Sequence, residues 1–294
     1  PEWEDHTEYG QPDSKVGDDS GHMYEMQFKD YKLAWTADFL REARMIKIDE
    51  AVGNMANSLI DLIEKLAITR LFKLEEVTGK RNGLGTTGVS VPFCDGGNGT
   101  IAFTPKPYPD RAAPFASSHT HFLRLDGITQ ANLETAVGHL WEHGMDGPYE
   151  LLISQSDVDE WTNTTNVTGY KPKAQALIQY GDQTTLASVD DAYIGAITTN
   201  QYGTVLVRST ARIPTGYWGV YKTYGSNDPR NPLVGRWDEM FGQGPQLVVA
   251  NVALFPLQGA IGQMKLGFSV SQDRTAAVLV ENDSSGSYAT PTIS

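Results

Sequence analysis

Asp49-Glu-Ala-Val-Gly-Asn-Met-Ala-Asn-Ser-Leu-Ile-Asp-Leu-Ile-Glu-Lys-Leu-Ala-Ile-Thr-Arg-Leu-Phe72 is the stretch from which the architecture is read. Ile48, Val52, Met55, Leu59, Leu62 and Leu66 recur at spacings of four and three, and Ile60, Ile63 and Ala67 widen the stripe. That is the period of an amphipathic α-helix. It predicts one rod over 49–72, about 35 Å long at 1.5 Å per residue. Fewer than four heptads without a repeated flanking charge pattern favour a helix lying along a sheet over a zipper.

The chain ahead of the rod is of another kind. Residues 1–21 carry Glu2, Glu4, Asp5, Glu8, Asp13, Asp18 and Asp19, broken by Gly10, Pro12, Gly17 and Gly21. Such a segment cannot build its own core and reads as an extended arm or loop. Over 22–35, Tyr24, Met26 and Phe28 alternate, then Tyr31, Leu33 and Trp35, which predicts a long strand with a register break near Asp30. A long strand after such an arm suggests a projecting hairpin or a strand that pairs with another chain. Thr36 with Asp38 suits the cap and first turn of a lead-in helix.

Beyond the rod come short apolar runs and the loop Pro105-Lys-Pro-Tyr-Pro109. A second helix is expected over 129–144, capped by Thr129, apolar at Leu133, Val137, Leu140 and Trp141, and stopped by Gly144. Tyr149-Glu-Leu-Leu-Ile-Ser154 reads as a buried strand, and a helix is expected around 172–180. Further strands are expected at 193–198, 204–208, 217–224, 247–257, 264–270 and 276–280, with a polar, loose stretch over the last 14 residues. The fold class is α+β.

Composition narrows the function. The 294 residues hold 23 Lys plus Arg against 36 Asp plus Glu, a net charge of -13, and no basic run that would grip phosphate backbones. The longest apolar stretches, about 8–10 residues, fall short of the ~20 that cross a bilayer. No secretory leader is expected at the start. The single cysteine, Cys94, excludes an internal disulfide and a cysteine zinc cage, and its Gly/Asp turn offers no basic neighbour to activate it.

The motifs point away from catalysis. Gly83-Leu-Gly85-Thr-Thr-Gly88 has the spacing of a dinucleotide loop but follows a helix and precedes a β-like run, the reverse of what pyrophosphate binding needs. Asp157-Val-Asp159-Glu lacks the Gly and closing Glu of a calcium loop and reads as a solvated helix start. His139-Leu-Trp-Glu142-His143 matches H-x-x-E-H and puts both imidazoles on one helix face, with His119 and His121 nearby in sequence. The favoured reading is structural, with His143 serving the helix-end carbonyls and no metal or other cofactor bound. A zinc hydrolase on His139, Glu142 and His143 is the enzyme alternative.

The order of elements resembles the major capsid protein of tailed bacteriophages, the Hong Kong 97 type of fold. Residues 1–35 look like its projecting loop, ending in Tyr24-Glu-Met-Gln-Phe-Lys-Asp-Tyr-Lys-Leu-Ala-Trp-Thr36, and 49–72 looks like its spine helix. Helix 129–144, strand 149–154 and Asp157-Val-Asp-Glu-Trp161 are similar to the entry into its axial domain. Tyr193-Ile-Gly-Ala-Ile197 and Ile213-Pro-Thr-Gly216 resemble its strand and turn near the capsomer axis, and 247–280 its closing peripheral strands. The implied division is loop and lead-in helix over 1–46, spine helix and first peripheral part over 47–148, axial domain over 149–239, and peripheral return plus tail over 240–294.

The resemblance implies a structural subunit, not an enzyme, that assembles with copies of itself into hexamers and pentamers. Such an icosahedral head encloses double-stranded DNA without reading its sequence. Scaffolding, portal and cement proteins are its further partners, the virion is its location, and host cytoplasm its place of synthesis. Trp3, Tyr9, Tyr24, Phe28 and Tyr31 are the candidate contacts between subunits. An encapsulin-like protein compartment is the alternative within the same fold. Lys15, Lys29 and Lys32 lie in the loop, but nothing identifies a partner for an isopeptide cross-link.

Overall fold

Tyr149–Ser154 (β5) is buried at every position except Glu150, the pattern of a strand covered on both faces. A computed structural model describes residues 26–36, 45–74, 77–79, 89–91, 111, 119–173, 193–238, 246–248, 257–270 and 276–294. In it β5 pairs in parallel with Thr204–Thr210 (β8) and antiparallel with Tyr217–Tyr221 (β9). Ala277–Glu281 (β13) continues antiparallel beside β9, and Phe122–Arg124 (β4) closes that edge in parallel with β13. On the other side stand Tyr193–Thr198 (β7) and Tyr170–Pro172 (β6). The sheet has seven strands in the order β4-β13-β9-β5-β8-β7-β6.

Alternation along these strands feeds two cores. Leu151, Ile153, Val205, Val207, Trp218, Val220, Val278 and Val280 face Leu133, Ala136, Val137 and Leu140 of helix Gln130–Glu142 (α2). Trp161, on the short helix Val158–Thr162 (α3), meets Trp218 edge to face at 5.1 Å. The opposite face presents Leu152, Ala277 and Leu279 to Ile68, Leu71 and Phe72 at the end of helix Met45–Phe72 (α1). Gly219 leaves room for the Leu279 side chain of β13, with Phe72 beyond it at ordinary contact distance. A Cβ there would stand 2.7 Å from Leu279 Cδ2 and 3.5 Å from Phe72 Cζ.

The second sheet is built on Leu257–Val270 (β12). Met26–Thr36 (β1) pairs antiparallel along one edge, from Met26 opposite Gly267 to Thr36 opposite Leu257. Leu233–Trp237 (β10) and Gln246–Val248 (β11) share the other edge. Helix α1 lies against this sheet with Met55, Leu59 and Leu62 facing Tyr31, Gly262 and Met264 across an apolar groove. The rod therefore touches both sheets, half-buried along most of its length and buried at its end. A small separate hairpin joins Val77–Gly79 (β2) and Val89–Val91 (β3).

Several expectations are corrected. The rod begins at Met45, ahead of the expected Asp49, and Thr36 ends β1 instead of capping a helix. The remainder of the expected lead-in helix, 37–44, lies outside the described residues. No register break occurs at Asp30, since the pairing with β12 runs unbroken. Phe28 and Tyr31, on either side of the parity change, are 48% and 46% exposed on opposite faces. The partner of β1 is a strand of its own chain. Of the helix expected around 172–180, Pro172 still belongs to the strand Tyr170–Pro172, Lys173 is helical as expected, and 174–180 lie outside the described residues. Strand pairing also divides 240–294 between the sheets, β11 and β12 in the smaller and β13 in the larger.

The closing stretch is tied down, not loose. Tyr288 and Ile293 are buried in the core at the end of α1. The Tyr288 hydroxyl donates to the Phe72 carbonyl at 3.2 Å, and Leu74 N–H donates to Thr290 Oγ1 at 3.1 Å. Those contacts satisfy groups that a helix end otherwise leaves to water. Few apolar residues mark this stretch in sequence, and its order depends on the distant partners Phe72 and Phe122.

Candidate functional site

Helix α2 ends in a glycine turn. Thr129 caps its start by accepting from Asn132 N–H, and at the other end Gly144 takes a φ of +82°. Backbone N–H groups of His143, Gly144 and Met145 already donate to the carbonyls of Leu140 and Trp141. The expected service of the His143 ring to those carbonyls is therefore not needed. Its Nε2 turns instead towards the segment leading into β4, 2.9 Å from His121 Nε2 and 3.2 Å from His119 Nε2.

All four histidines named from the sequence meet here. His121 is fully buried, and its Nδ1–H donates to the Ala277 carbonyl of β13 at 2.8 Å. A carbonyl can only accept, so the proton sits on Nδ1 and the neutral ring presents a lone pair at Nε2. His139 stacks on His119 with centroids 5.0 Å apart, and its Nδ1 is buried without a hydrogen-bond partner among the described residues. Ligand-capable atoms of His119, His121 and His143 lie within 4.8 Å of one another, as do those of His119, His139 and Glu142. Positions two apart on an extended segment and four apart on a helix each share a face. The parallel pairing of β4 with β13 brings the two faces together.

Burial favours the neutral ring at His119, His121 and His139. It lowers the His119 pKa to about 4, assisted by repulsion from His139. Burial, then His143, keeps His121 well below its ordinary value, and burial alone lowers His139. Burial raises Glu142. A neutral imidazole is the form that ligates metals.

The other candidate surface is β1. Phe28 and Tyr31 are exposed, while Trp3, Tyr9 and Tyr24 lie outside the described residues. The edge of β1 away from β12 has no strand partner among the described residues. On α1, Ile60 is 63% exposed, and Val52 is exposed as well. The sequence stripe included Ile60, but it points away from the sheet.

Asp157 corrects another expectation. Far from solvated, it is buried, and its Oδ2 accepts from Gly216 N–H at 2.8 Å. Burial raises its pKa, and the Gly216 hydrogen bond opposes the rise. It holds the turn into β9 in place.

No family model and no curated protein matches the sequence. Solved structures do. A structure from Mycobacterium phage Patience superposes with a TM-score of 0.68 at 19% identity, covering 99% of this chain and 79% of that one. The capsid of Ralstonia phage GP4 superposes with a TM-score of 0.51 at 10% identity, covering 90% and 74%. The fold is that of tailed-phage major capsid proteins. Among the described residues, no helix is long and apolar enough to cross a membrane.

Proposed function

We propose that the chain is the major shell subunit of a tailed-phage head, assembling as hexamers and pentamers around double-stranded DNA. The observation that carries this reading is the capsid fold itself, which extends over 99% of the chain in the phage Patience superposition. Further support comes from the edge of β1, which has no strand partner among the described residues, and from the exposed apolar side chains Phe28, Tyr31, Val52 and Ile60. Closed shells are tiled by such self-complementary surfaces under symmetry. The net charge of -13 suits a wall that confines a polyanion without adhering to it. In this reading the seven-stranded sheet is the core of the axial domain, and the sheet around β12 is the peripheral one. Scaffolding, portal and cement proteins are its further partners, and the subunit is made in host cytoplasm before it enters the virion.

The test is to isolate particles that contain this chain and image them, then digest and extract their contents. Icosahedral shells with encapsidated double-stranded DNA are expected. A monodisperse small species under all assembly conditions overturns the shell reading. Shells filled with a protein and no nucleic acid replace the phage head by an encapsulin-like compartment.

A further inference from the structure

Four imidazoles from two separate segments converge between the end of α2 and the start of β4, and nothing in shell assembly explains them. We propose that His119, His121 and His143 bind one divalent transition ion of the zinc class through their Nε2 atoms, with His139 as fourth ligand, fastening β4 to α2. The Nε2 separations of 2.9 and 3.2 Å approach the ligand–ligand edge of about 3.3 Å in a tetrahedron with Zn–N bonds of ~2.0–2.1 Å.

His121 carries the independent second sign. A ligating histidine characteristically donates its other ring N–H to a carbonyl or carboxylate, which fixes tautomer and orientation. His121 does this to Ala277 O at 2.8 Å. Proton accounting points the same way. His121 Nε2 presents a lone pair, so an N–H on His143 Nε2 serves one of its two imidazole contacts at full strength. A cation serves all three nitrogens.

The donor set selects the ion. Imidazole nitrogens suit zinc, copper and nickel, whereas calcium and magnesium take oxygen ligands. His139, with its buried Nδ1 and its ring against His119, supplies the fourth nitrogen after a rotation of the ring. Four protein ligands leave no open position for an activated water. The site is therefore a staple and not the hydrolase centre that H-x-x-E-H spells on paper. What it fastens needs fastening, because β4 is a three-residue strand with one neighbour, β13, among the described residues.

The metal content of the full chain is measured per subunit, in particles or in free form, so the result does not depend on the shell reading. Protein stripped with a chelator and dialysed against zinc should hold one equivalent per chain. Replacing zinc by cobalt should give the intense visible absorption of a four-coordinate site. Chelation should lower Tm by about 5 °C or more. His143→Ala should abolish binding, and His119→Ala, at the more open side, should do so in a chain that still folds. Less than a small fraction of an equivalent in the wild type overturns the proposal, as does full zinc retention in both variants. A weak, six-coordinate cobalt spectrum removes His139 from the ligand set and overturns the closed site.

Discussion

The two sheets of this molecule solve opposite problems. The seven-stranded sheet is covered on one face by α2 and on the other by the end of α1 with the closing stretch, so its central strand buries five of its six positions. The four-stranded sheet has α1 along it, yet β1 leaves Phe28 and Tyr31 open on opposite faces and one edge without a strand partner among the described residues. One sheet completes itself within the chain. The other leaves apolar area exposed and, among the described residues, one backbone edge without a strand partner, the arrangement that β-strand addition exploits.

The comparison can be broken most forcefully in the larger sheet. Trp218 is fully buried, packs on Trp161, and donates its indole N–H to Asn282 Oδ1 at 2.8 Å. Trp218→Ala should cost about 3–5 kcal/mol in urea unfolding of the subunit. A loss below about 1 kcal/mol, the order of a surface change, would mean that this sheet does not carry the stability of the chain.

Gly219→Ala asks how tightly Leu279 is packed beside β9. With Leu279 Cδ2 at 2.7 Å from the new methyl, overpacking should cost about 1–3 kcal/mol. Fluorescence-monitored unfolding measures it, and an unchanged midpoint would show that the Leu279 side chain moves aside freely.

Asp157 gives a pH-dependent test. A carboxyl whose pKa is raised by folding binds more protons folded than unfolded. Its ionisation therefore subtracts stability as pH rises through the folded-state value, and full stability is present only below the unfolded value near 3.8. Asp157→Asn keeps an acceptor for Gly216 N–H without the charge. It should match or exceed wild-type stability at pH 7, with the gap closing as pH falls. Asp157→Ala, which strands that N–H, should lose about 1–3 kcal/mol. Equal losses in both variants would show that the charge itself is required.

The smallest effect on the subunit is expected in β1. Phe28→Ser with Tyr31→Ser should shift subunit stability by about 0.5 kcal/mol or less, while assembly, followed by light scattering, should fall sharply. Subunit destabilisation equal to that of Gly219→Ala would erase the contrast between the sheets. Normal assembly would remove these two side chains from the contact surface.

What could be read in advance follows the range of the interactions. Helix α2 was legible from Thr129 to Gly144 because cap, stripe and stop are all local. Strands β5 and β7 were legible because both are apolar enough to be buried wherever they pair. The rod α1 was legible as a helix, but its partition was not: Ile60 and Leu62 look alike in sequence, and only the position of β12 decides which one is covered. The order of the closing stretch depends on Phe72, more than 200 positions away in sequence. The histidines were visible as two short patterns, and their meeting was not, because it is made by the parallel pairing of β4 with β13. Asp157 was misjudged for the same reason, since Gly216 approaches through the fold and not through the sequence.

The seating of α1 has a mechanical side. Its Phe72 end is fully enclosed and held by Tyr288 and Thr290, whereas Glu50, Asn54 and Asn57 towards its start face solvent. A rod clamped at one end is a lever. Over its 28 residues, about 42 Å at 1.5 Å per residue, a tilt of about 5° about Phe72 carries Met45 roughly 4 Å. Small rotations at the well-packed fulcrum would thus become larger displacements at the far tip, and in the proposed shell they would let one subunit meet neighbours at different angles.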